Sequence, residues 1–207
     1  MHYLYDTEIK LRGFLHNVSC RLEPGGFYIG TTVDAEKVVA LVRTEGKENM
    51  RISNDFYSIQ FGQDSFPKSD LSNGEGSPYG LKFYFYLKDA VGKERLSEGR
   101  PVYVPEYLVS FDHLEKIALE YDLELVEKKN FHEFYAENIE RNNELFQKMV
   151  GKEVNDKMSE HTLNQQWEIC GLYLIFAFVK LGTKNRRERT IFKNYKGIRK
   201  VNVKDWR

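Results

Sequence analysis

Three short stretches of this 207-residue chain carry side chains that could do chemistry. His2-Tyr3 sets an imidazole, able to donate or accept a hydrogen bond near neutral pH, beside a phenol. Pro105-Glu106-Tyr107-Leu108-Val109 places one carboxylate after a proline and ahead of an apolar run. Tyr173-Leu174-Ile175-Phe176-Ala177-Phe178 opens a strongly apolar strand with a tyrosine. Each also has a plain structural reading: Glu106 as an acid at a helix start, Tyr173 as core, His2 as part of a frayed end. Residue types alone leave both readings open.

Other chemistries find little support. Gly74-Glu75-Gly76-Ser77-Pro78-Tyr79-Gly80 misses the spacing of a dinucleotide-binding loop, follows no strand, and puts Pro78 where a helix should open. The sequence has no P-loop, no H-E-x-x-H and no G-x-S-x-G. Histidines 2, 16, 113, 132 and 161 are scattered, so no metal is expected. Cys20 and Cys170 cannot make a disulfide framework; both lie in apolar-patterned segments and read as buried thiols in a reducing, intracellular setting.

The elements that must carry these residues follow from periodicity. Ile9, Leu11, Phe14, Leu15, Val18 and Leu22 recur at helical spacing over 7–22, with Asp6 or Thr7 as cap and Pro24-Gly25-Gly26 as stop. Phe27–Gly30 reads as a short buried strand. Asp34 caps a helix with Val38, Val39, Leu41 and Val42 inside. Residues 55–61 and 81–87 have strand character and flank a loop, 62–78, with a second loop at 92–101. They predict an antiparallel strand pair inserted in a larger plan. Beyond it come a helix (111–121), a strand (123–126), an aromatic-rich helix (131–139), a polar connection (151–160), a short helix (162–168) and a buried strand (172–180). This order predicts an α/β fold whose last two long strands can pair antiparallel.

Composition bounds the rest. Apolar residues at 41% and charged residues at 30% suit a soluble globular domain, and no apolar run reaches membrane-spanning length, so no membrane partner is expected. The first residues are too polar to read as a signal peptide. Net charge is zero, yet residues 180–207 hold eleven Lys or Arg against two acids, a surplus of nine. That surplus reads either as a basic tail for nucleic acid or as a solvated end. The expected division is therefore a folded unit, 1–180, and a disordered basic tail, 181–207.

Six strings, in order over 2–178, resemble the eukaryotic mRNA cap guanine-N7 methyltransferases. They are His2-Tyr3; Arg21-Leu22-Glu23-Pro24-Gly25-Gly26-Phe27-Tyr28-Ile29-Gly30-Thr31-Thr32; Gly80-Leu81-Lys82-Phe83-Tyr84-Phe85-Tyr86-Leu87; Val104 to Phe111; Leu125 to Tyr135; and Tyr173 to Phe178. The resemblance implies the C-terminal half of a Rossmann-like catalytic domain, S-adenosylmethionine as methyl donor, and the terminal guanosine of capped RNA as acceptor. It implies a nuclear setting, RNA polymerase II machinery as a neighbour and a small activating subunit as a partner.

Residue by residue, the resemblance assigns Glu106 to the guanine, His2 to its O6 side, Tyr173 to the closure of the cap pocket, and Tyr3 to the donor. Val33 stands where the family commonly has proline, keeping an apolar wall without the fixed backbone angle. No catalytic base is expected, because guanine N7 bears a lone pair and no proton. In the family, His-Tyr ends the fourth strand of the sheet. The expectation is that the chain lacks most of the donor site, leaves Phe27–Gly30 as an exposed edge, and is inactive alone. The alternative is a non-catalytic cap- or RNA-binding module that uses the basic tail.

Overall fold

The computed structural model describes residues 2–46, 49–68, 71, 77–94, 101–150 and 159–182. In chain order these form a 3₁₀ turn (His2–Leu4), α1 (Glu8–Ser19), β1 (Phe27–Val33), α2 (Ala35–Thr44), β2 (Arg51–Ser53), β3 (Tyr57–Phe61), β4 (Lys82–Leu87), β5 (Lys93–Glu94), β6 (Pro101–Val102), β7 (Val104–Tyr107), α3 (Phe111–Glu120), β8 (Leu123–Asn130), α4 (Phe131–Val150), α5 (Glu160–Cys170) and β9 (Tyr173–Lys180). The expected α/β layout is the one observed. The expected basic tail lies outside the described residues from 183 onward; Leu181 is still buried, and its amide donates to Asp122 O.

β1, β9 and β8 make an antiparallel sheet in that order, so the two long C-terminal strands pair as their connection allows. Leu174, Phe176 and Phe178 alternate onto one face of β9 and are buried against Leu11 and Leu15 of α1 and Leu114 and Ala118 of α3. Gly30 is required where it stands: a Cβ there would lie 2.6 Å from the Phe176 ring. Gly25, at φ +86°, makes the turn that ends the α1 segment and starts β1. Among the described residues β1 has a neighbour on one side only, and Phe27 and Ile29 are exposed on it.

The second sheet differs from expectation. The inserted pair is the centre of a four-stranded antiparallel sheet, β2-β3-β4-β7. β2 escapes periodicity because it is three residues long, and β7 because Pro105 sits within it at the sheet edge. Ile52, Ile59, Phe61, Phe83 and Phe85 bury against Val38, Val39 and Val42 of α2. Asp34 caps that helix as expected, its side chain accepting from the Lys37 amide.

Two further expectations need correction. Cys20 is exposed and Cys170 half-buried, rather than both buried, each standing at the end of a helix, α1 and α5. α4 runs eleven residues past Ile139, through a polar stretch, 140–144, and then Leu145, Phe146 and Met149, and is kinked at Asn142 (φ −117°, ψ 16°).

Candidate functional site

The first two chemistry-bearing stretches meet, although they come from the start and the middle of the chain, and the charge of the second reaches the third, at Tyr173. Glu106 lies on β7 opposite Phe83, and the carboxylate is buried at 5% exposure. His2 lies on the 3₁₀ turn, with Nε2 3.9 Å from Glu106 Oε1, too far for a hydrogen bond. Tyr3 stacks at a tilt on His2, ring centroids 4.1 Å apart, and is half exposed. Tyr173 opens β9 directly opposite Val33, which is buried, and its ring packs 5.9 Å from that of Phe131.

The electrostatics are those of a dry acid. Burial pushes the Glu106 carboxyl up to about 7, so near neutrality it holds its proton about half the time. Burial also lowers the His2 imidazole, which faces the acid as a neutral ring. Its Nε2 is buried without a hydrogen-bond partner among the described residues. Tyr173 is pushed up to about 12, by burial first and then by the Glu106 charge. Tyr3 is raised by the same two causes in the same order. The Glu106 charge thus reaches both tyrosines, and the His2 imidazole lies 3.9 Å from it. Val33 reaches the group through Tyr173.

Tyr5 was not legible as a site residue. It is fully buried, and its hydroxyl donates to Ser110 O at 2.9 Å, four residues beyond Glu106. Its amide donates to His2 O and its carbonyl accepts from the Gly80 amide. One side chain therefore fastens the His2 turn to the β7–α3 connection. The only signal was an aromatic at spacing two from Tyr3.

The arrangement presents a carboxylate acceptor pair and an imidazole N–H between aromatic and apolar walls, which suits a planar polar ring offering two adjacent donors. A cleft of about 590 Å³ against α2, lined by residues such as Glu36, Arg43 and Lys128, contains none of the five expected site residues. Among the described residues no three His, Cys, Asp or Glu side chains gather as metal ligands, and no helix is long and apolar enough to cross a membrane.

The family model for the mRNA (guanine-N(7))-methyltransferase domain matches residues 1–181, and the chain belongs to that family. It is 36% identical over 193 residues to mRNA cap guanine-N(7) methyltransferase 1 of Oryza sativa, covering 91% of this chain and 47% of the relative. It is 36% identical over 195 residues to the protein of that name from Arabidopsis thaliana, covering 92% and 48%. With mRNA cap guanine-N(7) methyltransferase of Schizosaccharomyces pombe it shares 34% over 184 residues, covering 88% and 46%. The chain spans about half the length of the curated relatives it matches. Among solved structures, the CcbJ methyltransferase from Streptomyces caelestis is similar at a TM-score of 0.40 and 11% identity, over 86% of this chain and 53% of that one.

Proposed function

We propose that this chain supplies the acceptor half of an mRNA cap guanine-N7 methyltransferase, the part that holds the guanine of capped RNA. The supporting observation is the buried Glu106 carboxylate, with His2 3.9 Å away and Tyr3 packed on His2. Guanine's pairing edge offers N1–H and N2–H as adjacent donors, and an ionised Glu106 accepts both. Adenine has no such pair, so the same carboxylate discriminates. The unpartnered His2 Nε2, carrying its proton, donates to guanine O6. Tyr173 and Val33 close the ring from the β1–β9 side. N7 needs no base; the contribution of these residues is to fix the ring and to set negative charge beside a base that becomes cationic as it is methylated.

S-adenosylmethionine is the methyl donor, supplying an electrophilic methyl on sulfur. Tyr3 is the one residue assigned to it, and none of the strand-to-helix connections (Asp34 after β1, 108–110 after β7, none after β8) contains the glycine that a nucleotide-binding turn uses. We therefore infer that methylation needs the further half that the relatives carry, in a nuclear assembly with capped RNA, RNA polymerase II machinery and a small activating subunit.

Calorimetric titration of the chain tests this. A guanine-capped dinucleotide (GpppA) should bind, an adenine-capped one (ApppA) should bind at least about ten-fold more weakly, and S-adenosylmethionine should give no micromolar heat. Equal binding of both caps, or micromolar donor binding, would contradict the proposal. Binding of both caps that collapses with salt would instead favour an RNA-binding module working through the basic surplus of residues 180–207.

A further inference from the structure

Asn130 closes β8 at the level where the Val33 and Tyr173 strands come together, opposite Leu174 in register. Its Nδ2 donates to Asp34 Oδ2 at 2.9 Å and to Gly171 O at 2.8 Å. Its Oδ1 accepts from the His132 amide at 3.0 Å. The same two segments are joined again by the Asp34 amide, which donates to Leu172 O at 2.8 Å. Asp34 follows Val33 directly and also caps α2. Gly171 lies two residues before Tyr173 and is pressed from the other side by His132, whose ring would sit 2.5 Å from any Cβ placed there. That ring is itself held, bonded through Nε2 to Trp167 O at 2.7 Å and stacked 4.4 Å from the Trp167 indole.

One carboxamide therefore spans both strands that carry the non-acidic walls of the pocket. We infer that Asn130 is the positioning residue of the guanine pocket, its side chain holding the paired Val33 and Tyr173 in place as the pocket wall on the β1–β9 side. This rests on the guanine reading above. The chemistry selects asparagine: two acceptors, a carboxylate and a carbonyl, must be served by one neutral donor group that also accepts a bond. Aspartate would set two carboxylates against each other, threonine has one donor to give, and leucine none. Because Asn130 acts through Asp34 and Gly171, its loss should fall on the ability to tell guanine from adenine, not only on folding.

Three variants test the inference: Asn130→Asp, Asn130→Thr and the double variant Asn130→Asp with Asp34→Asn. Titration with GpppA and ApppA should show Asn130→Asp losing about ten-fold or more in guanine-cap affinity, with a narrowed guanine-to-adenine ratio and unchanged stoichiometry. Asn130→Thr should fall between, and the double variant should recover part of the loss, because an amide at 34 can donate to the carboxylate at 130. Amide hydrogen exchange supplies a second, ligand-free readout: Asn130→Asp should speed exchange at the Asp34 amide while β3 and β4 amides stay protected. A wild-type affinity and ratio in Asn130→Asp would overturn the inference, as would a loss confined to stoichiometry. Should the wild-type chain bind neither cap, the guanine reading fails, and the exchange arm alone decides: Asp34 protection retained in Asn130→Asp overturns the clamp.

Discussion

The two main sheets are built from similar residues and end in different states. In β2-β3-β4-β7, Ile59, Phe61, Phe83 and Phe85 are all nearly or fully buried against α2, and the layer is closed. In β1-β9-β8, one face of β9 is buried as deeply by Leu174, Phe176 and Phe178, yet Ile29 on β1 stands 71% exposed and the outer edge of β1 has no partner among the described residues. β1 carries no charge and no proline, the usual guards of a free edge. The acid-bearing sheet thus has its inner face covered by α2, while the sheet bearing Tyr173 and Val33 leaves Ile29 of β1 uncovered among the described residues. Under the proposed function the acid comes from the first sheet and the Tyr173–Val33 pair from the second, and the uncovered part of β1 is where further polypeptide would pack.

The largest test of that contrast is Phe85→Ala, which opens a cavity in the closed layer and should cost about 3–5 kcal/mol in denaturant unfolding. Glu106→Gln comes next. The folded carboxyl lies near 7 against an ordinary 4.5, so the favourable state of Glu106 is fully present below the unfolded value and is lost as pH rises through 7. The glutamine variant should match the wild type at pH 4.5 and be more stable at pH 8 by up to about 3 kcal/mol, while losing guanine-cap binding. Tyr5→Phe should cost about 1 kcal/mol by removing a buried hydrogen bond to Ser110 O, which keeps the Leu114 amide, and should weaken cap binding by loosening the His2 turn. Ile29→Lys should change unfolding free energy by under about 0.5 kcal/mol and still reduce self-association in sedimentation, because it guards the open edge.

Much of this was readable beforehand, for physical reasons that vary by element. β9 and α2 declare themselves because burial imposes a pattern on eight and ten consecutive residues. Asp34 was legible as a cap, and the six strings carried Glu106, His2 and Tyr173. β2 and β7 were missed because strands this short acquire their identity from neighbours. The second half of α4 was missed because the polar run 140–144 interrupts the pattern before Leu145, Phe146 and Met149 resume it. Tyr5, Asn130 and the polarity of Cys20 depend on what lies across the fold, over separations such as the 105 residues between Tyr5 and Ser110, which no local pattern records.

The most direct test of the central claim is the titration of the Glu106 side-chain carboxyl, followed by carbon-13 NMR in the chain with and without GpppA. The account predicts a free carboxyl that titrates near 7 and falls well below that when the guanine cap binds, because N1–H and N2–H favour the ionised form. A carboxyl that titrates near its ordinary value of 4.5, and does not move when the cap is added, would contradict it.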